Sequence, residues 1–123
     1  RAGEASSDVK KKLKQLGVSP EAIRKVAIAM YEGEINMVIH ARGGQILVEI
    51  TPEQIEMILD DVGPGIPDVS LAMQEGYSTA PDEIRSLGFG AGMGLPNMKK
   101  YSDEMEIDTR LGVGTKITMR VKL

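Results

Sequence analysis

Glu32 and Asn36 sit four residues apart in YEGEINMVIH (31–40), within a run that otherwise reads as a core helix. At that spacing both side chains project from one side of the helix, and His40 continues the line. Burying such groups unpaired costs about 1–3 kcal/mol each, so they need internal partners, a solvent-facing stripe or an open pocket. Glycine-bearing segments follow further along. In DVGPG, Asp61 can accept a hydrogen bond from an exocyclic amine, while Gly63 and Gly65 let the backbone approach a planar or anionic ligand. In GFGAGMGLP, Gly88, Gly90, Gly92 and Gly94 lead into a helix start, where free N–H groups and the positive dipole end suit phosphate. No Gly-Lys-Ser/Thr follows and no strand runs straight into the glycines. The segment is therefore neither a P-loop nor a dinucleotide fingerprint. GVGT (112–115) is a tight turn entering a strand. Each signal alone has a structural explanation as a hydrogen-bonded pair, a turn, a hinge or a hairpin.

These residues need elements to hold them. Ser7 is expected to cap a helix from Asp8 to Leu16, with Val9, Leu13 and Leu16 on one face and Gly17 as its stop. Lys10, Lys11, Lys12 and Lys14 surround that face, which reads as a solvated helix surface, with a docking patch for an acidic partner as the alternative. Ser19, Pro20 and Glu21 mark the start of a second helix that runs to about His40. Its apolar face is Ile23, Val26, Ala27, Met30, Met37 and Val38, and ARGG (41–44) ends it. Gly33 costs this helix interior about 1 kcal/mol relative to Ala, which close packing against a neighbour or room for a ligand would explain.

The period then changes to two. QILVEI (45–50) and EQIEMILD (53–60) read as strands joined around Thr51 and Pro52, each with one apolar face. After a loop over 61–68, a short helix is expected from Val69 to Gln74, ended by Gly76. Residues 76–92 lack periodicity and have the length of a lid or binding loop. Leu95 to Tyr101 reads as a helix, and EMEIDT (104–109) with TKITMRVKL (115–123) as a closing hairpin. Strands come as hairpins rather than alternating with helices, which predicts an α+β fold with helices on one face of a sheet.

The 123 residues suit one compact domain. Aromatics are only 3%, so Ile, Leu, Val and eight Met must fill the core. A net charge of −3 argues against a general nucleic-acid binder. There is no cysteine, which excludes disulfides and thiolate metal sites and fits a reducing compartment. No apolar run approaches the ~20 residues of a membrane span.

Taken in order, E-x-x-x-N on a helix, D-x-G-x-G after a strand, G-x-G-x-G-L-P and G-x-G-T resemble one known arrangement. It is the GHKL (Bergerat) ATP-binding fold of gyrase, histidine kinases, mismatch-repair ATPases and a heat-shock chaperone. DVGPGIPDVSLAMQEGYST with GAGMGLPNMKKYSDEMEI is similar to the bacterial anti-sigma-factor serine/threonine kinases, especially the switch kinases of stress-response pathways. The resemblance runs from about Ser7 to the C-terminus. It implies a two-layer α/β sandwich, with helices packed on one face of a mixed sheet, as a single domain over 1–123. Family members usually begin with a strand before the first helix, which this sequence lacks. The resemblance makes ATP and magnesium the cofactors. Asn36 would be the magnesium ligand that bridges the phosphates, and Glu32 would orient or deprotonate the attacking hydroxyl. Asp61 would bind the adenine amino group, supported from the opposite side by Thr115. Gly63 and Gly65 would admit the adenine, Gly90, Gly92 and Gly94 would wrap the phosphates, and Arg85 would be a lid arginine near them.

The implied activity is Mg-ATP-dependent phosphorylation of a serine or threonine on a STAS-type anti-sigma-factor antagonist, with partner exchange, a sigma factor among the partners, as the output. A cytoplasmic setting without nucleic acid or membrane goes with it, and a homodimer is compatible with it. Two other readings use the same residues. One is a non-catalytic ATP-binding anti-sigma factor or partner-switching module, against which the intact Glu32 counts. The other is the catalytic domain of a sensor histidine kinase. That reading needs a phosphoacceptor histidine on a separate helical hairpin, whereas the single histidine here, His40, ends the nucleotide helix.

Overall fold

The structure is a computed structural model that describes residues 3–73 and 94–123. Helices α1 (Glu4–Gln15) and α2 (Pro20–His40) are followed by strands β1 (Gly43–Ile50) and β2 (Gln54–Val62). A short α3 (Val69–Ala72), α4 (Gly94–Lys100), β3 (Glu104–Arg110) and β4 (Gly114–Lys122) complete the described chain. The sheet order is β1-β2-β4-β3 and every pairing is antiparallel. The described sheet is thus antiparallel rather than mixed, because two hairpins meet through β2 and β4 with opposed directions. The helices cover one face, giving the expected two-layer α+β architecture. No helix among the described residues is long and apolar enough to cross a membrane.

α2 forms where its end signals lie. The Ser19 side chain accepts the Ala22 N–H at 3.3 Å, Pro20 opens the first turn, and Ala41 leaves the helix in extended conformation. Gly43 and Gly44 belong to β1, where they pair with Val62 and Asp61, so the strand begins earlier than the sequence suggests.

α1 departs further from expectation. It starts at Glu4, and Ser7 is an exposed residue within the helix rather than its cap. Gly3 holds the cap position at φ 98° and has no side chain to offer. The buried Glu34 of α2 supplies the carboxylate instead, accepting N–H bonds from Gly3 (2.8 Å), Ala5 (3.3 Å) and Ser6 (2.7 Å). A carboxylate at a helix N-terminus is favoured by both charge-assisted bonding and the dipole. Leu13 is fully buried, but Leu16 lies beyond the last turn and is 56% exposed, so it is not part of the inward face. Lys10, Lys11, Lys12 and Lys14 are all exposed.

The core lies between the helices and the alternating inner face of the sheet. Ile55, Met57 and Leu59 of β2 and Ile117, Met119 and Val121 of β4 meet Leu13, Ile23, Val26, Met30 and Met98. Val38 is 65% exposed. One residue past Met37 is about 100° around the helix, which takes Val38 off the face that packs on the sheet. The outer face of the sheet is mostly polar, apart from the paired Leu47 and Ile58. Arg120 bridges Glu56 (2.8 Å) and Glu106 (2.6 Å) across three strands, and these hydrogen bonds, that to Glu56 foremost, push its guanidinium pKa further up.

Gly33 faces this core. A Cβ there would overlap the Cδ2 of Leu59 and stand 3.5 Å from the Met98 sulfur, so packing explains the glycine. A β-branched side chain has no free rotamer in that contact. We expect Gly33→Val to lower stability by about 2–3 kcal/mol, read as a fall in the urea midpoint at unchanged m-value. An unchanged midpoint would show that α2 does not depend on this approach.

Candidate functional site

Glu32 and Asn36 are half-buried on α2, one turn apart. The Asn97 Nδ2 of α4 donates to Glu32 Oε2 at 2.6 Å. The pair meets because α4 docks on α2 through buried Leu95 and Met98, and Met98 rests beside Gly33. Asn97 was not among the residues singled out in the sequence. Its one signal there is a polar residue flanked by two apolar positions that must face inward. Glu32 also lines an open groove of about 360 Å³ between α1 and α2, together with Ser6, Ser7, Lys10 and Tyr31. No described residue hydrogen-bonds to the Asn36 side chain, whose amide oxygen is therefore available to a ligand.

The second cluster forms where β2 ends against the β3–β4 turn. Asp61 Oδ1 accepts the Thr115 N–H at 2.9 Å, and Thr115 is buried. Gly114 makes this possible, because a Cβ there would run into the Asp61 carbonyl. The Thr115 hydroxyl lies 2.9 Å from that of Thr109, which in turn accepts the Ile66 N–H at 2.8 Å. Around them Gly63 N–H donates to the Val113 carbonyl (3.0 Å) and Gly112 N–H to the Pro64 carbonyl (2.9 Å). Gly65 has φ 79°, and a Cβ would lie 2.7 Å from the Arg110 carbonyl oxygen. The backbone at 63–66 is thereby tied to the hairpin turn, and D-x-G-x-G and G-x-G-T are two sides of one contact. Thr109 belongs to this cluster and carried no motif signal of its own.

Gly94 opens α4, and a Cβ built on it meets nothing within 4 Å, so it faces open space among the described residues. Arg85, Gly90 and Gly92, with the rest of the expected lid and the end of the short helix at Gln74, lie outside the described residues. Among the described residues no three His, Cys, Asp or Glu side chains converge as a metal cluster. A magnesium ion would instead have to rely on a single amide such as Asn36 together with nucleotide oxygens and water.

Thr109→Val keeps the shape but removes the hydroxyl, leaving the Ile66 N–H without its acceptor. The expected cost is about 1–2 kcal/mol in urea unfolding, with faster hydrogen exchange at the Ile66 amide. Unaltered exchange there would separate Thr109 from the loop.

Comparison with known proteins agrees with this fold. Residues 1–121 match the family described as the histidine kinase-like ATPase domain. The chain is 32% identical over 108 residues to a serine/threonine-protein kinase, RsbT, of Bacillus subtilis, covering 85% of this chain and 75% of that one. It is 35% identical over 117 residues to an anti-sigma F factor of Clostridium novyi, covering 90% and 78%. The solved structure of a mycobacterial sensor histidine kinase, MprB, superposes with a TM-score of 0.59 at 22% identity, over 81% of this chain and 71% of that one. That likeness concerns the fold alone.

Proposed function

The chain belongs to the histidine kinase-like ATPase domain family, and from that premise we propose that it is a serine/threonine protein kinase of a bacterial sigma-factor regulatory switch. Its single domain spans 1–123, its phosphoryl donor is Mg-ATP, and its acceptor is a STAS-type anti-sigma-factor antagonist in the cytoplasm. The observation that carries the reading is the Asp61–Thr115 bond, which brings two separated glycine motifs together. Glu32 and Asn36 stand on the helix above the same face of the sheet.

In this reading Asp61 receives the adenine amino group beside Thr115, and Gly94 begins the helix that follows the phosphate loop. Arg85, Gly90 and Gly92 complete the phosphate side by family position. The half-buried Asn36 amide fits a magnesium ligand; the ion, when bound, neutralises charge on the phosphates. Glu32 aligns the acceptor hydroxyl and takes its proton. The serine oxygen forms its bond to the γ-phosphorus as the bond from that phosphorus to the β–γ bridging oxygen breaks, and ADP leaves. Such a transfer needs positioning and charge stabilisation more than covalent help.

Asn36→Ala should abolish magnesium-dependent ATP binding in calorimetry while the unfolding free energy from urea titration stays within about 0.5 kcal/mol. Unchanged Mg-ATP affinity would remove Asn36 from the site. Glu32→Ala should retain ATP binding and lose the phosphoserine mass shift on a purified STAS antagonist; loss of both together would make Glu32 structural. One relative is named an anti-sigma factor, so sequestration is the competing mechanism. A stable partner complex without any phosphate transfer by the unaltered protein would favour it.

A further inference from the structure

We propose that Asn97 is the positioning residue for the Glu32 carboxylate, holding one oxygen so that the other is presented to the acceptor hydroxyl. The proposal rests on the kinase reading and concerns the same site. Asn97 Nδ2 lies 2.6 Å from Glu32 Oε2, the length of a strong charge-assisted bond. An ionised carboxylate only accepts, so the amide must turn its nitrogen toward Glu32. Oε1 has no hydrogen-bond partner among the described residues and remains to take the proton.

The donor itself is rigidly placed. Asn97 lies between Leu95 and Met98, both buried, and Met98 packs where Gly33 has no side chain. The backbone positions next to the two polar residues are therefore locked together, and the hydrogen bond fixes the remaining rotatable bonds of Glu32. A base on a long side chain gains most from such a tether, because a displacement of about 1 Å can cost up to about 100-fold in rate. The proton passes from the serine hydroxyl to Glu32 Oε1 as the new oxygen–phosphorus bond forms and ADP departs. Asn97 touches neither reactant.

The test measures single-turnover transfer from Mg-ATP to a purified STAS-domain antagonist, with ATP affinity and urea midpoint determined alongside. Asn97→Ala should lower the transfer rate about 10–100-fold while ATP affinity and midpoint stay close to those of the unaltered protein. Asn97→Asp has the same shape but offers no N–H and sets a second carboxylate against Glu32, so it should be at least as slow as Asn97→Ala. Normal or faster transfer by Asn97→Ala, or a rate loss matched by an equal loss of ATP affinity, overturns the positioning role. If Glu32→Gln transfers phosphate normally, Glu32 is not the base and the positioning role of Asn97 falls with it; if the unaltered protein transfers none, the kinase reading fails instead. The two failures are thus separate.

Discussion

A Cβ on residue 33 would overlap the Cδ2 of Leu59, so α2 lies as close to β2 as it does because that residue is glycine. The helix interior gives up about 1 kcal/mol of intrinsic propensity for this approach. In exchange the Leu59 side chain, 2% exposed, and the fully buried Met98 share one contact with the helix backbone. That contact joins three elements. It seats α2 on the sheet, draws α4 against α2, and thereby brings Asn97 to Glu32. A larger residue at 33 would have to displace the Leu59 methyl and crowd the Met98 sulfur, disturbing the packing that adjoins the polar pair.

The polar groups of α2 take different roles according to what they face. Glu34 is turned toward α1 and satisfies three of its otherwise orphaned N–H groups. Its charge is buried, and only that multiple bonding makes such burial tolerable. Glu32 is half-buried and has one donor, while Asn36 has none among the described residues. A carboxylate already engaged by three backbone donors is a structural cap. A carboxylate with one oxygen bound, and an amide beside it with its oxygen free, are groups left able to meet a ligand.

How far these roles can be read from sequence depends on the range of the interaction. α2 was legible to within a residue because Ser19, Pro20 and the ARGG segment act locally. The hairpin strands were legible from alternation, and the motif order identified the fold. α1 was misplaced at its start because its cap, Glu34, lies 28 to 31 residues away along the chain. Val38 was misassigned because α2 is apolar over more than the face that packs, so periodicity could not select the buried stripe. Thr109 and Asn97 are fixed by tertiary partners, Thr115 and Glu32, and neither stands in a pattern that a single sequence displays. Glu32, Asn36, Asp61 and Thr115 stand out because their spacing repeats a known order, although spacing alone could not distinguish pocket from turn.

The two clusters of the site are linked by β2. Leu59, under Gly33, and Asp61, bonded to Thr115, are two residues apart, so both point to the helical side of the sheet about 7 Å from each other along the strand. The helix that carries Glu32 and Asn36 is positioned by the first, and the proposed adenine edge is positioned by the second. β2 is a central strand, paired with β1 on one side and β4 on the other, so its register is held from both edges. A one-residue slip would turn Leu59 and Asp61 together to the outer face and remove both clusters at once. The separation between the proposed base on α2 and the proposed adenine edge is thus set through one doubly paired strand.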